Sequence, residues 1–446
     1  MPRSTERKHI VIVGGGFGGI NAAKELKIAD VDITIIDQTN HHLFQPLLYQ
    51  VATAALSPAD IAVPIRSILR KKPGVKVIHG TVVDINEDEN FVDLKDGDRI
   101  SFDYLVLAPG ARYNYFGNDE WEENAPGLKS IRNALEIRET ILLSLERADR
   151  IDDPKLREPY LTYVVIGGGP TGVEMAGAIA EIAKHSMMAD YDNFSPNETR
   201  IFLVEAGPKI LNGYPDSLSE RARKKLEDMG VRVLLNTPVT NISHHQITFK
   251  EGTIETPNII WAAGVAASPL LERLDTERDK SGRALVNEDL SLPDHPNIFV
   301  IGDAAHLEDE NGTPLPAVAP VAIQQGRFLG KQLKGEIFKG ANRRAFHYVD
   351  KGNMATIGRA KAVADIRGFK FSGFFAWLLW SVVHIFFLIG FRNRFRVFVE
   401  WMWHYLTFKR GVRLITDRAE QQTELHPKKT LQKVEEDFET DTISKN

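Results

Sequence analysis

Two stretches of this chain, Ile10 to Asp37 and Tyr163 to Glu205, follow one plan: a β-branched run, a glycine-rich turn, an amphipathic segment and a second apolar run ending in an acid. Short β-branched runs read as strands and the amphipathic segment as a helix, so each stretch is a βαβ unit. Parallel strands joined through a helix need a sheet covered on both faces. Two such units, about 150 residues apart, therefore make the chain α/β with two separate sheets. Its 446 residues are enough for two or three cores.

In the first unit Gly14, Gly16 and Gly19 have the spacing in which one glycine permits the tight turn, the next lets backbone approach a pyrophosphate, and the third lets helix pack on strand. The phosphates then sit on the helix N-terminus, whose free N–H groups favour an anion. Asp37 ends the next strand 18 residues after Gly19, where a carboxylate accepts from the adenosine ribose hydroxyls. The second unit repeats the pattern with Gly167, Gly169, Gly172 and Glu205. A carboxylate at 205 with no arginine close behind it repels a ribose 2′-phosphate and favours NAD over NADP. Two dinucleotides within reach of each other are usually a flavin and a nicotinamide.

Val75 to Ile85 reads as a strand, followed by a hairpin of Phe91 to Leu94 and Arg99 to Phe102 about the Asp96-Gly97 turn, then by the strand Tyr104 to Ala108. Val231 to Leu235, Ile247 to Phe249 and Ile259 to Trp261 repeat that order after the second unit. Ile298 to Val300 runs into Ile301-Gly302-Asp303, and a helix from about Val318 to Leu333 returns the chain to the first domain. Alone, Asp303 would be a helix-capping acid. Beside two dinucleotide units it resembles the aspartate that contacts the ribityl and phosphate region of FAD in two-dinucleotide flavoproteins.

The chain has no cysteine. Disulfides, thiolate metal sites, iron–sulfur clusters and electron transfer through a redox dithiol are thereby excluded. His41-His42 and His244-His245 are adjacent pairs that point to opposite faces of a strand, so no metal is implied. A formal net charge of −5 gives no global field for nucleic acid.

Asn40-His41-His42-Leu43-Phe44-Gln45-Pro46-Leu47-Leu48-Tyr49-Gln50-Val51-Ala52 and Gly167-Gly168-Gly169-Pro170-Thr171-Gly172-Val173-Glu174 resemble segments of the type II NADH dehydrogenases, single-subunit NADH:quinone oxidoreductases. The similarity extends over nearly the whole chain to about Arg413. It implies two Rossmann-like dinucleotide-binding domains, for FAD and NADH, plus a C-terminal membrane-associating helical segment. The expected boundaries are 1–115 and 286–345 for the two parts of the FAD domain, 116–159 for a helical connection and 160–285 for the NADH domain. A membrane-anchoring region at 346–415 and a polar, disordered tail at 416–446 follow. Implied FAD contacts are Gly14, Gly16, Phe17, Gly18, Gly19, Asp37, Gln38, Val82, Ala108, Gly110, Gly302 and Asp303. Implied NADH contacts are Gly167, Gly169, Pro170, Thr171, Gly172, Glu174, Glu205 and Gly264, and implied quinone contacts are Gln50, Gln324 and Gln325.

Glu174 matches the family's glutamate beside the flavin ring, where it would position the nicotinamide or help supply protons. Read from the residues alone, it is a first-turn carboxylate favoured by the helix dipole. Ala319-Pro320-Val321-Ala322-Ile323-Gln324-Gln325-Gly326 resembles the family's quinone-site pattern Ala-Gln-x-Ala-x-Gln, with Pro320 where the first glutamine is expected. Proline has no donor to offer there, and also suits the N1 position of a helix. The resemblance implies hydride transfer from NADH to tightly bound FAD and then two electrons to a membrane quinone, without proton pumping. A sulfide:quinone oxidoreductase would need reactive cysteines. An NADH-dependent flavoprotein with a protein acceptor or a redox-signalling role stays open.

Phe371 to Phe391 is 21 residues without a charge, about 31 Å as one helix and close to a bilayer core. The basic cluster Arg392, Arg394, Arg396, Lys409, Arg410 and Arg413 follows it, whereas Arg367 and Lys370 precede it. A spanning helix on a cytoplasmic enzyme would place the richer cluster on the wrong side. The expectation is monotopic attachment to the cytoplasmic face if the source is bacterial, with a single transmembrane helix 371–391 as the alternative. Part of this apolar surface is expected to close a homodimer.

Overall fold

The computed structural model describes residues 7–26, 31–70, 74–183, 190–407 and 411–415. The tail at 416–446 lies outside the described residues.

Lys8–Val13 pairs in parallel with Val31–Asp37 on one side and Tyr104–Leu107 on the other; Val75–His79 and Ile298–Val300 complete a five-stranded sheet. Alternation along the central strand covers both faces. Ile10 and Ile12 pack with helices Phe17–Glu25 and Ala319–Lys339, while Val11 and Val13 pack with a three-stranded antiparallel sheet. That small sheet is Val82–Asn86, Phe91–Leu94 and Arg99–Ser101. The expected strand Val75 to Ile85 is therefore two strands, one in each sheet, divided at Gly80 and Thr81.

The second domain repeats these layers. Thr162–Ile166, Arg200–Val204, Val231–Leu234 and Asn258–Trp261 form a parallel sheet. Tyr163 and Val165 face helices Pro170–Glu181 and Asp216–Asp228, while Val164 and Ile166 face the antiparallel sheet Val239–Ser243, Gln246–Phe249 and Gly252–Glu255. Helix Ile131–Asp149, N-capped by Ser130, connects the domains, and Ala111–Tyr113 pairs antiparallel with Val265–Ala267 where the chain crosses between them.

The apolar run from 371 to 391 is not one helix. Phe371 belongs to Phe369–Gly373, the edge strand of an antiparallel sheet with Asn353–Gly358 and Lys361–Ile366 that sequence reading missed. Gly373 at φ +80° starts helix Phe374–Phe387, and Gly390 at φ +91° precedes helix Phe391–Thr407. Fourteen residues span about 21 Å, short of a bilayer core of about 30 Å. Among the described residues no helix is long and apolar enough to cross a membrane. The transmembrane alternative for 371–391 is thus overturned, because glycines with positive φ break the run at both ends.

The two C-terminal helices turn their apolar sides outward. Phe375, Phe386, Phe391 and Leu406 are 75%, 67%, 84% and 70% exposed, and Phe395, Phe398, Met402 and Trp403 are exposed with them. Part of the last helix's polar side turns inward, while Arg392 and Arg394 stay exposed. Arg396 Nε lies 3.2 Å from the buried carboxylate of Asp60, and Asn393 donates to Ala59 O at 3.3 Å. Trp380, Leu388 and Val397 join Leu48, Val51, Val173 and Ala176 in one core, so these helices are packed onto both dinucleotide domains.

Candidate active site

The two glycine turns match feature by feature. Gly14 (φ +102°) and Gly167 (φ +107°) adopt the left-handed backbone, and a Cβ on either would lie 2.1 Å from Ala108 O or 2.7 Å from Ala263 N. A Cβ on Gly19 or Gly172 would lie 1.9 or 1.8 Å from the carbonyl oxygen of Gly14 or Gly167, the close helix–strand approach that only glycine allows. Gly16 and Gly169, the N-caps of the two helices, meet nothing within 4 Å on that side, and neither helix has a side-chain cap or a first-turn acid. The free N–H groups at the start of the two helices, from Phe17 in the first and from Thr171 after Pro170 in the second, are thus open to an anion.

The strand-end acids hold the turns. Asp37 accepts from Gly15 N and Thr39 N, both at 2.6 Å; Glu205 accepts from Gly168 N at 2.6 Å and Gly207 N at 2.7 Å. Lys209, the nearest cation after Glu205, is paired with Asp216 at 2.6 Å. Around the first turn His42 contacts Gly15 O through Nδ1 at 3.0 Å, which makes Nδ1 the donor; Nε2 is buried without a partner among the described residues. Burial lowers the His42 pKa to about 4, so the ring is neutral. Burial instead pushes the Asp303 carboxyl upward, against the opposing charges of Lys129 and Arg283. The open N-terminus, the orphaned imidazole nitrogen and the secluded Asp303 fit a pyrophosphate-linked cofactor.

Glu174 occupies the fifth position of helix Pro170–Glu181. It is in the second turn, beyond the first-turn dipole stabilisation expected from sequence. Gly177, one turn further on, explains its surroundings: a Cβ there would lie 1.7 Å from Ile357 O, so helix and strand Asn353–Gly358 touch backbone to backbone. That contact brings Thr356 N–H to 3.4 Å from Glu174. Burial pushes the Glu174 carboxyl up to about 8, with the Thr356 bond opposing it. Glu181, seven residues on, accepts from Arg359 N–H and lies 3.7 Å from His404 Nε2.

These groups line one pocket with Tyr49 and Gln50, closed by Trp380, Trp401 and Tyr405 of the C-terminal helices. Gln50 donates to Tyr49 Oη at 2.8 Å and accepts from Trp401 Nε1 at 2.7 Å. Aromatic contacts connect the first glycine turn to this pocket: His42 to Phe17 at 5.0 Å, Phe17 to Phe44 at 5.9 Å, Phe44 to His384 at 6.2 Å, His384 to Trp380 at 4.0 Å and Trp380 to Trp401 at 5.4 Å. Burial brings His384 down to about 4, and its Nδ1 lies 2.7 Å from Trp380 O.

A family model described as pyridine nucleotide-disulphide oxidoreductase matches residues 8–326, and one described as the NDH2 C-terminal domain matches residues 351–410. Two relatives from Mycobacterium tuberculosis, the type II NADH:quinone oxidoreductases Ndh and NdhA, are each 44% identical; the matches cover 92% of this chain and 91% and 90% of theirs. The chain belongs to the type II NADH:quinone oxidoreductase family. Among solved structures, NDH2 from Plasmodium falciparum in complex with NADH has the same fold, with a TM-score of 0.84 at 22% identity over 92% of this chain and 100% of that one. The sulfide:quinone oxidoreductase of Aquifex aeolicus shares the fold at a TM-score of 0.69 and 20% identity, over 87% of this chain and 92% of that one.

In this member of the type II family, Gln324 and Gln325 stand apart from the pocket that Gln50 lines. Gln324 exchanges two 3.0 Å bonds with the Val349 backbone, and buried Gln325 accepts from Gly302 N at 2.6 Å. Pro320 is the second residue of helix Ala319–Lys339. Gly18 packs under Ile301, and a Cβ on Gly326 would lie 2.2 Å from Gly18 O, so both serve the contact between that helix and Phe17–Glu25. Gly110 (φ +75°) and Gly264 (φ +64°) flank the paired crossing strands, Val82 is buried under the first sheet, and Gln38 is exposed with its carbonyl 3.1 Å from His79 Nε2. Sequence reading missed Glu181, Arg359 and His404. The seven-residue spacing of Glu174 and Glu181, which puts both on one helical face, was the available signal.

Proposed function

We propose that the described residues carry the family's reaction as follows. The activity is NADH:quinone oxidoreduction, with NADH and a quinone as substrates. FAD, when bound, accepts a hydride from NADH and passes two electrons to quinone. Gly14, Gly16 and Gly19 with Asp37 hold the FAD pyrophosphate and ribose; Gly302 and Asp303 meet its ribityl and phosphate region. Gly167, Gly169, Pro170, Thr171 and Gly172 with Glu205 hold NADH in the same manner. The quinone ring approaches through the pocket of Gln50, Glu174 and Trp401. Trp377 and Tyr405 stack at 5.5 Å in the wall of that pocket.

The observation that carries this reading is the single pocket that joins Gln50, downstream of the first glycine turn, to Glu174 of the second, beneath helices whose outer side is apolar. Reducing a quinone with NADH takes one proton from the medium, and Glu174, protonated near neutral pH, is placed to give it. The outward phenylalanines support attachment from one side of a membrane, on the face where NADH is available, since so large an apolar surface marks a contact with lipid or protein. Anaerobic stopped flow tests the reaction: NADH should bleach the flavin absorption and a short-chain quinone should restore it rapidly. Bleaching without recovery would refute the quinone assignment.

A further inference from the structure

Helix Asp216–Asp228 lies over the C-terminal sheet, and a cavity of about 350 Å³ opens between them. Arg221, Lys224 and Lys225 reach it from the helix and Lys361 from the sheet, with Ser372 and Gly373 on the edge strand. The two carboxylates in its wall are already matched: Glu227 holds Arg223 at 2.6 Å and Asp228 holds Lys225 at 3.0 Å. Lys224 reaches Glu220 only at 3.7 Å, and Arg221 donates to the Ser372 hydroxyl at 3.0 Å. Among the described residues neither Arg221 nor Lys361 is paired with a carboxylate. The cavity therefore has surplus positive charge and a hydroxyl beside it, which is chemistry suited to a phosphate diester.

The NADH phosphates do not account for these cations. In a βαβ unit the ligand lies at the carboxyl ends of the strands, where the helices begin. The cavity instead lies along the second half of its helix, which leads into the start of strand Val231–Leu234. Its position suggests another ligand. Gly373, in the cavity wall, is where the chain passes into helix Phe374–Phe387, and Phe369, Phe371, Phe374 and Phe375 on either side of it are all exposed. A phosphate bound there has apolar side chains next to it, as an amphiphile requires.

We propose that this cavity binds the phosphodiester headgroup of one anionic phospholipid, whose acyl chains run along the neighbouring phenylalanines. The site rests on the reading that the C-terminal helices face a membrane. It would fix the rotation of the enzyme on the lipid surface, which an apolar patch alone leaves free.

Native mass spectrometry of the full-length flavoprotein in a non-ionic detergent, titrated with phosphatidylglycerol or phosphatidylcholine, tests it. One phosphatidylglycerol should be retained per chain, and Arg221→Gln/Lys361→Gln should weaken it about tenfold without changing phosphatidylcholine adducts, flavin content or bleaching by NADH. Arg221→Lys/Lys361→Arg should keep it. Equal phosphatidylglycerol retention in wild type and the glutamine variant would overturn the site, and complete displacement by millimolar inorganic phosphate would show that only the anion is recognised. Flotation with vesicles separates the two readings: wild type that floats with neither neutral nor anionic vesicles would overturn the membrane reading, whereas the retention comparison judges the cavity.

Discussion

At the scale of single residues, Glu174 is set by what a glycine allows. Gly177 lets the strand Asn353–Gly358 come into backbone contact, and the carboxyl is enclosed as a result. Gly177→Val places side-chain atoms where Ile357 O stands, and should cost about 2 kcal/mol or more, read as a lower Tm with slower quinone reduction. Glu174 itself links stability to pH. Its carboxyl rises from 4.5 to about 8 in the folded chain. Between those values the folded chain holds a proton that the unfolded chain has released, so stability falls as pH rises through this window. Glu174→Gln removes that dependence, and the Tm of the variant minus that of wild type should grow by roughly 4 °C between pH 5 and pH 9. A difference that does not change with pH would show that the carboxyl titrates normally.

At the scale of elements, helix Phe391–Thr407 is amphipathic in the reverse sense to a helix on a soluble core. Asn393 and His404 face the protein, Arg396 reaches Asp60 from its flank, and its phenylalanines face out together with Arg392 and Arg394. Arg396→Leu leaves the Asp60 carboxylate buried without its ion-pair partner. Because the guanidinium is itself 43% exposed, screening reduces the loss to about 1 kcal/mol, which thermal unfolding should detect. Trp401→Phe keeps the ring and removes the donor to Gln50 Oε1. The loss of one buried hydrogen bond, about 1 kcal/mol, should raise the KM for quinone about fivefold and leave flavin bleaching by NADH unchanged. An unchanged KM would mean that Gln50 is not held for quinone.

At the scale of the whole molecule, the C-terminal helices and the two dinucleotide domains share one core, so the pocket exists only when all three are assembled. The outward surface mixes phenylalanines with arginines, which predicts two components of vesicle binding. Raising salt from 0.1 to 1 M should weaken binding to anionic vesicles about tenfold but leave the apolar component, so neutral vesicles still float the protein. Complete release by salt would exclude insertion of the phenylalanines.

The sequence by itself determined the two βαβ units, their glycines and strand-end acids, and their repetition, because each of these is a local demand. A left-handed turn needs glycine, and a parallel strand pair needs a helix between its strands. It determined also that the C-terminal segment is too apolar for an ordinary surface. Tertiary structure decided the rest. The run 371 to 391 breaks at Gly373 and Gly390, where hydropathy, blind to backbone angle, sees no boundary. Gln324 and Gln325 are occupied by backbone partners that their own segment does not contain. Glu174 and Glu181 of one helix meet Gln50, Arg359 and His404 from separate parts of the chain, since a pocket depends on which surfaces pack together rather than on which residues are adjacent in sequence.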